Sequence, residues 1–261
     1  MSLRLLLSGE GPTDMGRNKP TPGGMVFEPG PMAELIDRLI RTDPHFSSWL
    51  EAYSLLEMQR DDPGADHVRY LSRGDLSQRK QQRQGRPLLL PGSKRPKGLS
   101  GSTAQAWMLG RLAVETAGHD PASGVRPLVV AVLFHDSDGT RSVPRSQWQE
   151  LVTAIEDGFA QAGCKTGVAM VPRPKSEAWL LCALKPSPYQ HCDELEEAPG
   201  NDASPQALKT RLKAINDDND PSSAEQADWV REGRIDPARI DMPSFRAFAD
   251  RLAQVLAPSS G

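Results

Sequence analysis

The chain predicts a Rossmann-like, three-layer α/β fold. Residues 128–134 form an unbroken apolar run of the kind a parallel strand covered on both faces requires. Shorter runs at 3–7 and 166–171 resemble it, and amphipathic helical stretches follow the strands. A length of 261 residues with 38% hydrophobic side chains suffices for one large α/β unit. The 23 prolines and a mean hydropathy of −0.51 imply long polar connections.

Taken in order, 3–7 is the first strand, ended by Gly9 and Gly11, and 16–31 reads as loop. Pro31 suits a first helical turn, and Met32, Leu35, Ile36, Leu39 and Ile40 supply its apolar face. A second helix is expected over 46–58, with Trp49, Leu50, Tyr53, Leu55 and Leu56 on its broad side. Between 60 and 101 regularity fades. A short strand at 67–71, a polar helix at 76–84 and a basic loop at 87–101 together read as an insertion or flap. Ser102 or Thr103 can cap the next helix, which runs to about 116. The strand at 128–134, a crossover helix at 145–161 and a strand at 166–171 follow. A Pro-rich turn then leads to a helix from about Ser176. Short helices near 205–215, 224–231 and 245–256 complete the chain. This order predicts a core over 1–185, carrying the 60–101 insertion, and a helical C-terminal extension over 186–261.

The formal net charge is −3, which by itself decides nothing about a polyanionic partner. Its distribution is uneven. Residues 60–111 are basic, with Lys94, Arg95 and Lys97 in one tetrad, and 193–241 are mostly acidic. Cys164, Cys182 and Cys192 lack zinc-site spacing and read as reduced thiols of a cytoplasmic protein. No signal-like opening and no apolar run of membrane length is expected.

Two acidic clusters follow the strands. Ser8-Gly9-Glu10-Gly11-Pro12-Thr13-Asp14 lies past the first, and His135-Asp136-Ser137-Asp138-Gly139 past the strand at 128–134. Open α/β sheets bind ligands at such strand ends. If the two strands are neighbours, Glu10, Asp136 and Asp138 converge, and all-oxygen ligand sets suit Mg²⁺ or Mn²⁺. Solvated strand-end turns use the same residue types, so the pairing of two clusters matters more than either alone. Gly9-Glu10-Gly11 is a poor dinucleotide fingerprint, because the third glycine is missing and an anion stands where pyrophosphate would bind. A third cluster, Arg173-Pro174-Lys175-Ser176-Glu177, adds a carboxylate and two cations near a helix start. His135 has no visible partner, Trp179 suits core packing, and no tyrosine has a nucleophile's context. The chain carries no Walker motif, which leaves any ATP-driven step to a separate partner.

Glu10 after one strand and Asp136-Xaa-Asp138 after another resemble the Toprim domain of topoisomerases, bacterial primases, recombination-associated proteins, a ribosomal-RNA maturase and OLD-type nucleases. The Glu-Gly-Pro-Thr-Asp wording is most similar to OLD-like and small bacterial Toprim branches, some resembling mobile-element or phage-defence proteins. The resemblance covers about residues 3–185. It implies acid–base or metal-binding work for Glu10 and metal ligation by Asp136 and Asp138. It also implies a second acidic position at Asp14. Pro174-Lys175-Ser176-Glu177-Ala178-Trp179-Leu180 is similar to a Pro-Xaa-Xaa-Glu-Xaa-Trp-Leu pattern of Toprim-like proteins.

The resulting expectation is a Mg²⁺- or Mn²⁺-dependent nuclease acting on DNA or RNA. Glu10, Asp14, Asp136, Asp138 and Glu177 are its candidate metal or catalytic carboxylates, with Lys175 beside them. Lys94, Arg95, Lys97, Arg173 and Lys175 are its candidate backbone contacts. A nucleotide-directed phosphoryl-transfer enzyme and a non-catalytic binding or regulatory module are the alternatives, and a separate ATPase or defence-system partner and an oligomer are compatible with all three.

Overall fold

The computed structural model describes residues 3–22, 24–43, 54–62, 67–82, 99–118, 127–137 and 145–257. The parallel sheet has the order β4-β1-β5-β6, built from β1 (Leu3–Gly9), β4 (Val68–Ser72), β5 (Leu128–Phe134) and β6 (Gly167–Met170). Leu5 sits opposite Val68 on one side and Val130 on the other, and Phe134 opposite Met170. Alternation along each strand divides the side chains between two helical layers.

Leu3, Leu5, Leu7, Val130, Val132, Phe134 and Met170 face one layer. It contains α1 (Pro31–Thr42), α6 (Ser176–Leu184), α7 (Leu208–Ile215), α8 (Ser223–Arg231) and α9 (Pro243–Leu256). Leu6, Val129, Ala131 and Leu133 face the other, formed by α3 (Arg73–Gln82), α4 (Leu99–Gly118) and α5 (Arg145–Gln161). Trp179 is wholly buried in the first layer. Its ring meets Phe245 edge-on at 5.0 Å, and its Nε1 donates to Ser244 Oγ at 2.9 Å. The C-terminal helices therefore share the apolar core of the sheet.

Several expectations change. Residues 67–71 are no appendage: β4 is a sheet strand beside β1, and α3 follows it directly. Most of the stretch expected as loop over 16–31 is instead two antiparallel strands, β2 (Gly16–Thr21) with β3 (Gly24–Pro29), in a sheet of their own. Its strands lack apolar alternation because little of it is buried; Arg17 pairs with Glu28, and Phe27 stacks on Tyr70 at 5.4 Å.

The helix expected over 46–58 is described only as α2 (Leu55–Asp61), which a Ser54–Glu57 capping box starts; 46–53 lies outside the described residues. Ser102 and Thr103 are buried inside α4 instead of capping it. A methyl on Gly158 of α5 would lie 2.4 Å from the Thr103 carbonyl, so the helices cross where the cap was expected. Cys182 and Cys192 are not reduced thiols: a disulfide joins α6 to the 3₁₀ turn Cys192–Glu197, across Cα atoms 5.2 Å apart. Cys164 remains free and buried. No described helix is long and apolar enough to cross a membrane.

Candidate functional site

All four core strands are parallel, so their C-terminal ends share one edge. β1 has β4 on one side and β5 on the other, which makes the β1/β5 boundary the topological switch point. Each strand delivers polar chemistry there: Arg73 after β4, Glu10 and Asp14 after β1, His135 and Asp136 after β5, and 172–177 after β6.

Glu10 bridges two of these ends. Its Oε1 accepts from Arg73 Nη2 at 2.5 Å and lies 2.8 Å from His135 Nε2. His135 Nδ1 lies 2.7 Å from the Asp136 carbonyl, a contact that requires its proton on that nitrogen. Burial pushes the Glu10 carboxyl up, but His135 and Arg73 outweigh it and hold the group below its ordinary range. The partner that the sequence did not reveal for His135 is Glu10.

Asp14 and Asp136 meet on one residue. Ser176, the first residue of α6, donates its backbone N–H to Asp136 Oδ1 at 3.0 Å and its hydroxyl to Asp14 Oδ1 at 2.5 Å. Two carboxylates at a helix N-terminus also gain from its dipole. The loop carrying Asp14 is strapped to α1, because the Asp14 carbonyl accepts from Met32 N at 3.0 Å and the Met15 carbonyl from Gly30 N at 3.1 Å. Gly30 is required there: a Cβ on it would lie 2.3 Å from the Asp14 carbonyl oxygen. Ser137 Oγ donates to the Pro172 carbonyl at 2.7 Å and so fixes the β5 end to the β6 end.

Burial raises the Asp14 carboxyl, and the Glu10 charge adds to that rise against the Ser176 and Thr13 hydrogen bonds. Glu177 is raised too, by burial first, with Asp14 and Asp202 contributing. Crowded, partly desolvated carboxyls of this kind ease their repulsion by taking up a proton or a cation.

The cations divide. Arg173 is no backbone contact: its side chain is only 6% exposed and pairs with buried Glu196 at 3.5 Å and with Glu197. Lys175 pairs with Asp202 at 2.8 Å and is 14% exposed. Arg73 is 41% exposed. Asp138, Lys94, Arg95 and Lys97 lie outside the described residues. Among the described residues no group of three His, Cys, Asp or Glu side chains is placed to hold one ion. Carboxylate oxygens are the donor type that hard divalent cations take.

Sequence reading missed Arg73 and Ser176. Arg73 has a signal, since Ser72-Arg73-Gly74-Asp75 directly follows an apolar run, but the polar surroundings of that run hide its place in the sheet. Ser176 has none, because its role depends on two loops meeting. No family model, no curated protein and no solved structure matches the chain.

Proposed function

We propose that this chain is a Toprim-type, Mg²⁺- or Mn²⁺-dependent nuclease that hydrolyses phosphodiester bonds in DNA or RNA. The observation that carries the reading is the meeting of Asp14 and Asp136 on Ser176 at the switch point, with Glu10 and Glu177 beside them.

Asp136, Asp14 and Glu10 would hold the ion, joined by Asp138, with Glu177 next to them. The ion would supply Lewis-acid stabilisation of negative charge on the phosphoryl oxygens and a hard template for them. The protein residues do the positioning. Ser176 fixes the two aspartates through its N–H and hydroxyl. Ser137 holds the strand-end loops at a constant separation. Glu10, kept ionised by Arg73 and His135, would bring a full negative charge to the ion. Lys175 moderates the negative field around Asp14 and Glu177.

The deciding assay incubates purified protein with single- and double-stranded DNA and RNA in Mg²⁺, Mn²⁺ or EDTA, beside an Asp136→Ala variant checked for folding. The expected result is metal-dependent cleavage that falls on the order of a hundredfold or more in the variant, the scale seen when a transition-state charge stabiliser is lost. Equal cleavage by both proteins would reject the site. Phosphate release from nucleotides, with polymers untouched, would favour a nucleotide-directed enzyme.

A further inference from the structure

We infer that Arg73 is the residue that grips the substrate's phosphate backbone beside Glu10, so that a polynucleotide approaches the site from the β4 side. This rests on the nuclease reading for its substrate, though not for the phosphate contact itself.

Among the described residues, Arg173, Lys175 and Arg73 stand at the strand ends, and their surroundings differ. Arg173 is buried against Glu196 and Glu197, and Lys175 is largely covered and paired with Asp202. Arg73 alone among these three opens outward. It is the first residue of α3, and the turn that aims it is braced: Asp75 Oδ2 accepts from Ser72 N at 2.8 Å and from Ser72 Oγ at 2.7 Å. Its Nη2 meets Glu10 at 2.5 Å and His135 Nε2 at 3.3 Å, while Nε has only a long contact to Gln105 at 3.4 Å. Nη1 has no hydrogen-bond partner among the described residues.

A guanidinium has five donors in a planar fork, which suits two phosphate oxygens at once. Because Nη2 is committed to Glu10, a phosphate taken by the remaining donors lies next to that carboxylate, one strand away from Asp136. A contact needed only to position Glu10 would not require an arginine with its side chain 41% open to solvent. The occupant we assign is a polynucleotide phosphate; a free nucleotide offers the same chemistry and is separated from it by the test.

The experiment measures binding of a labelled single-stranded oligothymidylate in EDTA across a salt titration, using the full chain. Each phosphate contact on a single strand contributes about 0.7 to the slope of log affinity against log salt. Arg73→Gln should lower the slope by about that amount, and Arg73→Lys should retain it while binding more weakly. Glu10→Gln, which removes the competing carboxylate, should tighten binding and gives a reading even if Arg73→Gln does not fold. An unchanged slope in folded Arg73→Gln, or unchanged affinity in Glu10→Gln, overturns the assignment. A role confined to positioning Glu10 would lower kcat without moving the slope. AMP that displaces the oligonucleotide at equal molar strength overturns the polynucleotide occupant. If no protein cleaves with any metal while the slope still falls in Arg73→Gln, the nuclease reading fails and the phosphate contact stands.

Discussion

Among the described residues, two pairs of acids are pushed above their ordinary range chiefly by burial, and one of these pairs lies at the candidate site. On α1, Glu34 and Asp37 are 4% and 1% exposed. Burial drives both upward, Asp37 to about 7. At the strand ends Asp14 and Glu177 are likewise raised, by burial first. The partners differ. Glu34 is held by Arg231 at 2.5 Å, and Asp37 Oδ1 accepts the first N–H of α2, from Leu55, at 2.9 Å. Those contacts join helices. Asp14 and Asp136 instead share Ser176 where parallel strands end, beside a half-exposed arginine. A perturbed carboxyl marks function only when its place in the fold can admit a substrate.

The sharpest way to break this contrast is to neutralise one acid from each group. Asp14→Asn should reduce metal-dependent cleavage on the order of a hundredfold, because it removes a charge from the proposed ion site while keeping the shape. Its thermal midpoint should hold or rise, since one negative charge crowding Glu10 and Glu177 disappears. Asp37→Asn should leave cleavage at the wild-type rate. Parallel cleavage and melting measurements check both, and a cleavage defect in Asp37→Asn would erase the distinction.

The sequence made this contrast only half legible. Residues 128–134 announced β5 because a strand covered on both faces has no polar position, and the strand-end acid Asp136 followed from it, as Glu10 did from the apolar run of β1. β4 was harder to place. Arg69 is exposed in the middle of it, and the stretch is short and set among polar residues, so its membership depends on pairing with β1. Missing β4 as a core strand meant missing Arg73. The acids of α1 were invisible as a pair, because their partners Leu55 and Arg231 lie far along the chain and only packing brings them close. Cys182 and Cys192 likewise gave a spacing without a geometry.

A second prediction concerns stability rather than activity. Asp37 is raised from 3.8 to about 7 by burial first and the neighbouring Glu34 charge next, against Arg41 and the amides of Leu55 and Leu56. Glu57, Asp228 and Arg231 surround Glu34 in turn. A carboxyl whose folded pKa is raised favours the native state while protonated. Its contribution is full below about pH 4, the unfolded value, and is lost as pH rises to about 7. By linkage this amounts to a few kcal/mol. Asp37→Asn should flatten that part of the stability curve, lying below wild type in acid and at or above it past neutrality. Denaturant melts from pH 5 to pH 9 read it; a wild-type slope that survives the substitution would assign the titration elsewhere.

The smallest effect tests how the structural acid works. Two devices start α2: Ser54 Oγ accepts from Glu57 N at 2.9 Å, and Asp37 accepts from Leu55 N. Ser54→Ala should cost about 1 kcal/mol, the usual scale for a lost N-cap. Both groups serve one helix end, so their losses should not add. Once α2 frays, Asp37 loses its amide partner, and the double variant Ser54→Ala/Asp37→Asn should be less destabilised in acid than the two single changes combined, by about 0.5 kcal/mol or more. Strict additivity would mean that Asp37 acts through Glu34 and Arg231 instead of through the helix cap. Oligonucleotide binding should not move in any of these variants, because α2 contributes no side chain to the strand-end site.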